Sequence, residues 1–377
     1  MRIGYSYWGY LGDHKFDDEG NPASTPDGNA TYSWALIWEL LCSGHEVYQM
    51  QQDRDAVGWK LTGPNGLFSA FSTRKRHDAW SRMVRTDGVS FPELDVLLLE
   101  WRFTIPGRNT EADRLKPGWQ PDLDRQTRLL QHYRSTKTKV VIWDLDHKLT
   151  FDEERYWAPD AIIETSVKPR EQSMRRRRVE PPMVIGDLLQ FDTVQVNPCL
   201  KLVYVGSRYE RDDIITEYIG PASDVYPGQI VFYGNWLKSV DECRKLWPNV
   251  CYEDRISTVD FHAAYSEAVA CPLLAKRSYI KTGFITPRPW EAILFGTIPV
   301  GIRQMHGIDQ YAINNVEDGD EMTDLLYEMS QMTLRERDIL RHESAHKLGF
   351  MDARHFVDVI EEIANEADFV VPEEHNG

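Results

Sequence analysis

The stretch TGFITPRPWEAILFGTIPVG, Thr282 to Gly301, sets an arginine and a glutamate three residues apart at the start of a short apolar segment. At that spacing Arg288 and Glu291 share one face of a helix. A guanidinium beside the free amide hydrogens of a helix start favours an anion such as a phosphate. A carboxylate one turn further in can accept hydrogen bonds from two adjacent hydroxyls, as on a ribose. The chemistry suggested is capture of a nucleotide; the alternative is an exposed ion pair. Other polar groups recur where strands should end: Gly206, Ser207, Arg208 and Arg211 in VGSRYERDD, Asn235 in FYGNW, and Lys276, Arg277 and Lys281 ahead of the Arg/Glu segment. Cations there would suit an anionic ligand. Ordinary surface charge is the competing reading for each.

Three aspartates are candidate general bases, able to take a proton from an attacking hydroxyl. Asp27 in STPDGN alternatively caps a helix. Asp144 and Asp146 in VIWDLDHKLT alternatively order a strand end, or hold a divalent metal as an Asp-x-Asp pair. That spacing recurs at Asp122/Asp124 and Asp318/Asp320, so it discriminates little, and no metal is expected. Glu100, Arg102, Arg108 and Asn109 in EWRFTIPGRN form a polar loop that either grips an acceptor or holds itself together through salt bridges. His147 reads as a neighbour of the aspartates. The tryptophans at 101, 143, 157, 236 and 290 either stack on sugars or bases or fill the core. The run Arg175–Arg178 is a solvated loop or, with a DNA partner, a phosphate track.

These groups need a scaffold, and the chain alternates strand and helix twice over. MRIGYSYW, HEVYQM, LDVLLLEW (94–101), TKVVIWDLD (138–146) and DAIIETS (160–166) read as strands, with helices in GNATYSWALIWELLCSG and at 125–136. Near-continuous apolar runs of this kind are the mark of buried parallel strands. A Pro- and Arg-rich passage at 167–183 breaks the pattern. A second series follows: strands at 201–205 and 228–236, a helix in TVDFHAAYSEAVA, a strand in CPLLA, the Arg/Glu segment and a strand in TIPVGI. Thr286 should cap a helix from Pro287 to Phe295, with Gly296 left-handed at its end. Three helices around 319–331, 333–348 and 353–367 close the chain. The fold expected is α/β, two doubly wound Rossmann-like domains facing across a cleft: 1–193, 194–350, and 351–377 as a helix packing back on the first domain, then a tail. Ligands in such sheets sit beyond the carboxyl ends of the strands.

Composition bounds the partners. The net charge is −16, but residues 317–377 carry 5 basic and 17 acidic groups, whereas residues 1–193 carry 26 basic and 29 acidic. Acidity is a property of the C-terminal part, so an anionic partner is neither excluded nor demanded by the rest. Five cysteines without CxxC spacing argue against a disulfide framework or zinc site. With no apolar run long enough to cross a membrane, the expectation is a cytoplasmic protein without a membrane partner.

VYVGSRYERD, FYGNW and TPRPWEAILFGTIPV together resemble the donor-binding domain of GT-B glycosyltransferases, over roughly residues 200–302. In the first half, MRIGYSYWGYLGD, STPDGNATYSW, LLLEWRFTIPGRN, QPDLDRQ and VIWDLDHKLT resemble glycosyltransferases encoded by bacteriophages of actinobacteria. The resemblance implies a GT-B fold and transfer of a hexose or pentose from a nucleotide sugar, a UDP-sugar, which is a co-substrate rather than a resident cofactor. It further implies an acceptor hydroxyl on hydroxymethylated pyrimidines of phage DNA, the alternatives being a cell-surface glycan, a small metabolite, or nucleotide binding without catalysis. GYLGD stands where many such enzymes carry a Gly-rich loop, so the first domain should take the acceptor and the second the donor.

Overall fold

The computed structural model describes residues 1–7, 28–50, 82–86, 90–102, 112, 122–145, 147–168, 175–183, 198–254, 256 and 261–366. The first half builds a seven-stranded sheet from β1 (Arg2–Ser6), β2 (Glu46–Gln49), β3 (Met83–Arg85), β4 (Val96–Trp101), β5 (Lys139–Asp144), β6 (Ala161–Glu164) and β7 (Arg176–Arg178). Its order is β3-β2-β1-β4-β5-β6-β7 and every pairing is parallel. The second half builds a six-stranded parallel sheet, β8 (Leu200–Val205), β9 (Ile230–Tyr233), β10 (Cys251–Glu253), β11 (Ala268–Pro272), β12 (Ile298–Ile302) and β13 (Asn314–Val316), ordered β10-β9-β8-β11-β12-β13. Both sheets reverse direction of winding at their first strand, β1/β4 in one and β8/β11 in the other, which opens a crevice beyond each pair of strand ends.

The apolar runs form these strands because parallel strands are covered on both faces. All six residues of β4 are buried, as are all five of β11 and of β12. Helices α1 (Gly28–Cys42), α2 (Asp122–Tyr133) and α3 (Phe151–Trp157) cover the first sheet. Thr150 and Glu153 close a capping box at the start of α3. In the second half α4 (Arg277–Thr282) and α5 (Arg288–Leu294) lie between β11 and β12, and α6 (Gly319–Gln331), α7 (Leu334–Lys347) and α8 (Ala353–Asn365) close the chain. The last helix returns to the first sheet, where the Phe356 ring meets Trp143 at 4.9 Å between centroids. The two halves also touch directly: Lys168 N donates to the Thr282 carbonyl at 2.9 Å, and the Tyr311 hydroxyl to Glu180 at 3.0 Å.

Three expectations change. The Arg-rich passage does not merely interrupt the pattern, for Arg176–Arg178 adds the seventh strand to the first sheet. The helix expected through TVDFHAAYSEAVA stops at Ser266, and β11 starts at Ala268 rather than at Cys271. The short edge strands β10 and β13 had no signal, each being only three residues long. All five tryptophans named above are buried, so they fill the core.

Candidate functional site

At the crevice of the second sheet, β8 ends at Val205 and the chain runs two residues past the end of β11 to Leu274. Arg288, the first residue of α5, reaches back to both: Nε donates to the Val205 carbonyl at 2.8 Å and Nη1 to the Leu274 carbonyl at 3.1 Å. Nη1 also donates to the Thr286 hydroxyl at 3.0 Å, and the guanidinium carbon lies 4.7 Å from the centre of the Tyr204 ring. Arg288 is only 9% exposed. Burial works against its charge, but the acidic groups around it, Tyr204, Tyr265, Cys271 and Glu291, outweigh burial and hold its pKa above the ordinary arginine range. Gly206 makes this possible, since a Cβ there would stand 2.6 Å from Arg288 Nη2 and 2.7 Å from the Tyr204 hydroxyl.

Arg211 comes to the same place from the loop after β8. Its Nη1 donates to the carbonyls of Ser207, at 3.1 Å, and Tyr209, at 2.7 Å. It is 8% exposed, and burial, to which the like charge of Arg288 adds, pushes its guanidinium below the usual range. Arg211 Nε and the Tyr204 hydroxyl are buried and make no hydrogen bond. Two guanidiniums and two unsatisfied polar atoms at one strand end are what an anion with several oxygens would satisfy. Asn235 follows Gly234, whose left-handed conformation (φ 148°) and missing Cβ let that turn lie against the Gly206 carbonyl. Trp236 Nε1 donates to the same carbonyl at 2.8 Å.

The α5 start differs from expectation. Pro287, not Thr286, is the N-cap, and the Thr286 hydroxyl is spent on Arg288. All seven residues of α5 are buried, so the helix start is not an open end, and the Arg288 guanidinium is engaged by the Val205 and Leu274 carbonyls. Gly296 is left-handed as expected (φ 88°). Glu291 lies one turn in, buried and already partnered. Its charge, together with burial, raises the Tyr32, Tyr265 and Cys271 pKa values; burial is the main cause and carries the Cys271 thiol up to about 12.

The other expected cations do not converge here. Arg208 turns to its own chain, Nε to Asp212 at 2.9 Å and Nη1 to Glu242 at 2.8 Å, so its charge is met by carboxylates. Arg277 pairs with Asp213 on the surface. The Lys276 ammonium lies 4.2 Å from the centre of the Tyr279 ring. Lys281 is exposed and lines a separate depression with Arg303 and His306.

The crevice of the first sheet is closed in a parallel way. Gln126 on α2, fully buried, donates from Nε2 to the carbonyls of Ser6 (3.0 Å) and Glu100 (2.8 Å), and its Oε1 accepts from the Ser6 hydroxyl at 2.6 Å. Helix α2 joins β4 to β5 as α5 joins β11 to β12, so Gln126 and Arg288 do the same task at equivalent places. Arg125 adds bonds to Ser6 Oγ at 3.1 Å and the Tyr7 carbonyl at 2.6 Å. Glu100 sits between them, 1% exposed, its Oε1 accepting from the hydroxyls of Tyr5 on β1 and Ser33 on α1. It is thus a buried strand-end carboxylate, not a loop group. Arg102 is buried and engaged.

Asp144 is a structural group: its Oδ1 accepts from the amides of Lys148 (2.6 Å) and Leu149 (3.1 Å), and its Oδ2 is 3.9 Å from Arg176 Nη1. That turn explains the left-handed His147 (φ 55°). Arg176 joins Glu154 and Glu164, Arg177 joins Glu362 and Glu366, and Arg178 joins Glu180, so these three arginines hold the fold rather than a phosphate track. Asp318 is the N-cap of α6, accepting from the amides of Asp320 and Glu321. Asp27, Arg108, Asn109 and Asp146 lie outside the described residues. Among the described residues no group of three or more His, Cys, Asp or Glu side chains is arranged to hold a metal, and no helix is long and apolar enough to cross a membrane. Sequence reading missed Tyr5, Ser33, Gln126 and Tyr204, for each lies inside an apolar or amphipathic segment where nothing local distinguishes it.

No protein-family model matches the sequence, and neither does any curated protein. Solved structures do match. T4 phage beta-glucosyltransferase superposes with a TM-score of 0.58 at 13% identity, covering 97% of this chain and 100% of that one. An alpha-glucosyltransferase in complex with UDP-glucose and DNA containing an abasic site gives 0.59 at 16%, covering 96% and 99%. T4 phage BGT in complex with UDP and Mn2+ gives 0.54 at 14%, covering 97% and 100%. The chain has the GT-B fold. The likeness extends over nearly the whole chain and is one of fold.

Proposed function

We propose that this protein is a glycosyltransferase that moves a sugar from a nucleoside diphosphate sugar, a UDP-sugar, to an acceptor hydroxyl. The observation that carries the reading is the pair of buried guanidiniums, Arg211 and Arg288, beside the unsatisfied Arg211 Nε and Tyr204 hydroxyl at the β8/β11 switch point. The second domain, near 194–350, holds the donor. Its diphosphate lies against Arg211, Arg288 and the Gly206–Ser207 turn, with Asn235 at the edge and Glu291 accepting from the ribose hydroxyls. As the bond from the anomeric carbon to the phosphate oxygen breaks, negative charge grows on that oxygen and the guanidiniums stabilise it. The acceptor oxygen forms the new bond to the anomeric carbon. Its proton passes to a carboxylate of the first domain, near 1–193, and among the described residues Glu100 at the first switch point is taken for that role ahead of Asp144, whose Oδ1 is engaged by two backbone amides and whose Oδ2 faces Arg176.

The likeness to structures solved with UDP-glucose and DNA supports glucose as the sugar and a hydroxymethylated pyrimidine in DNA as the acceptor, a base that must leave the duplex stack to enter a cleft. Since Arg176, Arg177 and Arg178 are used internally, DNA phosphates would be met by other groups. The test is incubation of the full chain with a panel of nucleotide sugars and hydroxymethylcytosine- or hydroxymethyluracil-containing DNA, followed by mass spectrometry of the nucleosides. A gain of one hexose or pentose, lost in Arg288→Ala and Glu291→Ala, is expected. Absence of UDP binding by calorimetry would overturn the reading.

A further inference from the structure

Tyr32 and Ser33 are neighbours on α1, yet their hydroxyls serve opposite lobes. Tyr32, fully buried, donates to the carbonyl of Ile285 at 2.7 Å. Ile285 directly precedes Thr286, whose hydroxyl accepts from Arg288 Nη1 at 3.0 Å. Ser33, also buried, donates to Glu100 Oε1, the oxygen that Tyr5 also reaches. Arg288, Thr286, Ile285, Tyr32, Ser33 and Glu100 thus form one continuous path, covalent at two steps and hydrogen-bonded at three. It runs from the donor crevice of the second sheet to the switch point of the first. Successive helix residues point about 100° apart, so one turn of α1 can address both lobes at once.

The surroundings fit a fixed link. Tyr32 lies close enough to Glu291, Arg288, Tyr279 and Tyr311 to feel their charges. Burial, aided by Tyr311 and Glu291, raises its pKa well above the ordinary tyrosine value, so the hydroxyl stays protonated and stays a donor. A buried carboxylate is fixed only by the donors around it. Two of the donors on Glu100 come from different elements, Tyr5 on β1 and Ser33 on α1, so the position of α1 bears on how the carboxylate is aimed.

We propose that the Tyr32–Ser33 pair is a positioning device that registers Glu100 against the donor-gripping segment, holding the carboxylate in its working orientation while Ile285 is seated on α1. This rests on the reading of Glu100 as proton acceptor and Arg288 as donor-binding group. Neither Tyr32 nor Ser33 touches substrate in this scheme. Their effect passes through Glu100, and so falls on turnover rather than on donor affinity.

The test uses the full chain with Tyr32→Phe, Ser33→Ala, the double variant and Tyr5→Phe. UDP affinity is read by calorimetry, kcat and KM with UDP-glucose and hydroxymethylcytosine-containing duplex, and thermal midpoint alongside. Ser33→Ala and Tyr5→Phe are expected to lower kcat about tenfold or more while UDP affinity stays within about twofold. Tyr32→Phe should also lower kcat, and the double variant should lose clearly less than the product of the two single losses, because once Ser33 has released Glu100 the tether no longer matters. Single losses that simply multiply, or kcat unchanged while the midpoint falls, would overturn the proposal. Should Tyr32→Phe not fold, Ser33→Ala and Tyr5→Phe decide it through the split between kcat and UDP affinity. A wild-type chain that binds no UDP and turns over no UDP-glucose would instead defeat the underlying transferase reading, and this positioning role with it.

Discussion

Replacing Gly206 by alanine adds a single methyl group at the strand end where Arg288 and Tyr204 crowd the backbone. The new carbon would stand 2.6 Å from Arg288 Nη2 and 2.7 Å from the Tyr204 hydroxyl, well inside ordinary contact distance. Arg288 cannot swing aside as a surface arginine would, because Val205, Leu274 and Thr286 hold its Nε and Nη1. Either those bonds stretch or β8 shifts. Overpacking of this kind costs about 1–3 kcal/mol of stability. Displacing Nη2 from a phosphate oxygen forfeits one charge-assisted hydrogen bond, about 1.5–3 kcal/mol, which is about a ten- to hundredfold loss of UDP affinity. Isothermal calorimetry with UDP, alongside urea unfolding, separates the two effects. Gly349→Ala is the control, since a Cβ there meets nothing within 4 Å. A Gly206→Ala protein that binds UDP as tightly as wild type would refute the placement of the diphosphate against Arg288.

Further outcomes follow from the same geometry. Arg288→Lys retains the charge but loses the fork that spans Val205 and Leu274, and should weaken UDP binding by about tenfold in calorimetry; unchanged binding would mean that charge alone suffices. Arg176→Ala leaves Glu154 and Glu164 without their cation, a change that should cost about 3–5 kcal/mol in urea unfolding; a variant of full stability whose transfer to DNA merely becomes less salt-dependent would restore the phosphate-track reading. Asp352→Ala removes the N-cap of α8 and should cost about 1 kcal/mol. Burial opposes the Asp352 charge, but its bonds to Arg354 prevail and lower its pKa, so its contribution is present above the unfolded carboxylate range and lost as pH falls through the folded value. Melting curves should therefore separate variant from wild type at pH 7 and converge as the pH falls below the lowered folded value.

Much of the scaffold was legible because its signals are local. LDVLLLEW and TKVVIWDLD could only be buried parallel strands, and the closing helices fall within two residues of expectation, α6 at its expected bounds. The Arg/Glu segment was legible as a short helix ahead of a strand, but its details were not: Thr286 looks like a cap in sequence, whereas its hydroxyl accepts from the Arg288 side chain. The Arg run shows the same limit more sharply. Four arginines in a row read as solvated until Glu154, Glu164, Glu180, Glu362 and Glu366 arrive from elsewhere in the chain to neutralise three of them.

The sequence by itself determined two doubly wound parallel sheets, their central strands, and the polar character of the strand ends. Those follow from apolar periodicity and from glycine, proline and capping residues acting over a few positions. Only the tertiary structure decided which charges are free to meet a ligand. Arg208 and Arg211 are three residues apart in RYERDD, yet one is neutralised by Asp212 and Glu242 while the other is buried beside Arg288. A strand or helix is chosen by near neighbours, whereas the partner of a charge is chosen by whatever the fold brings within a few ångströms of it.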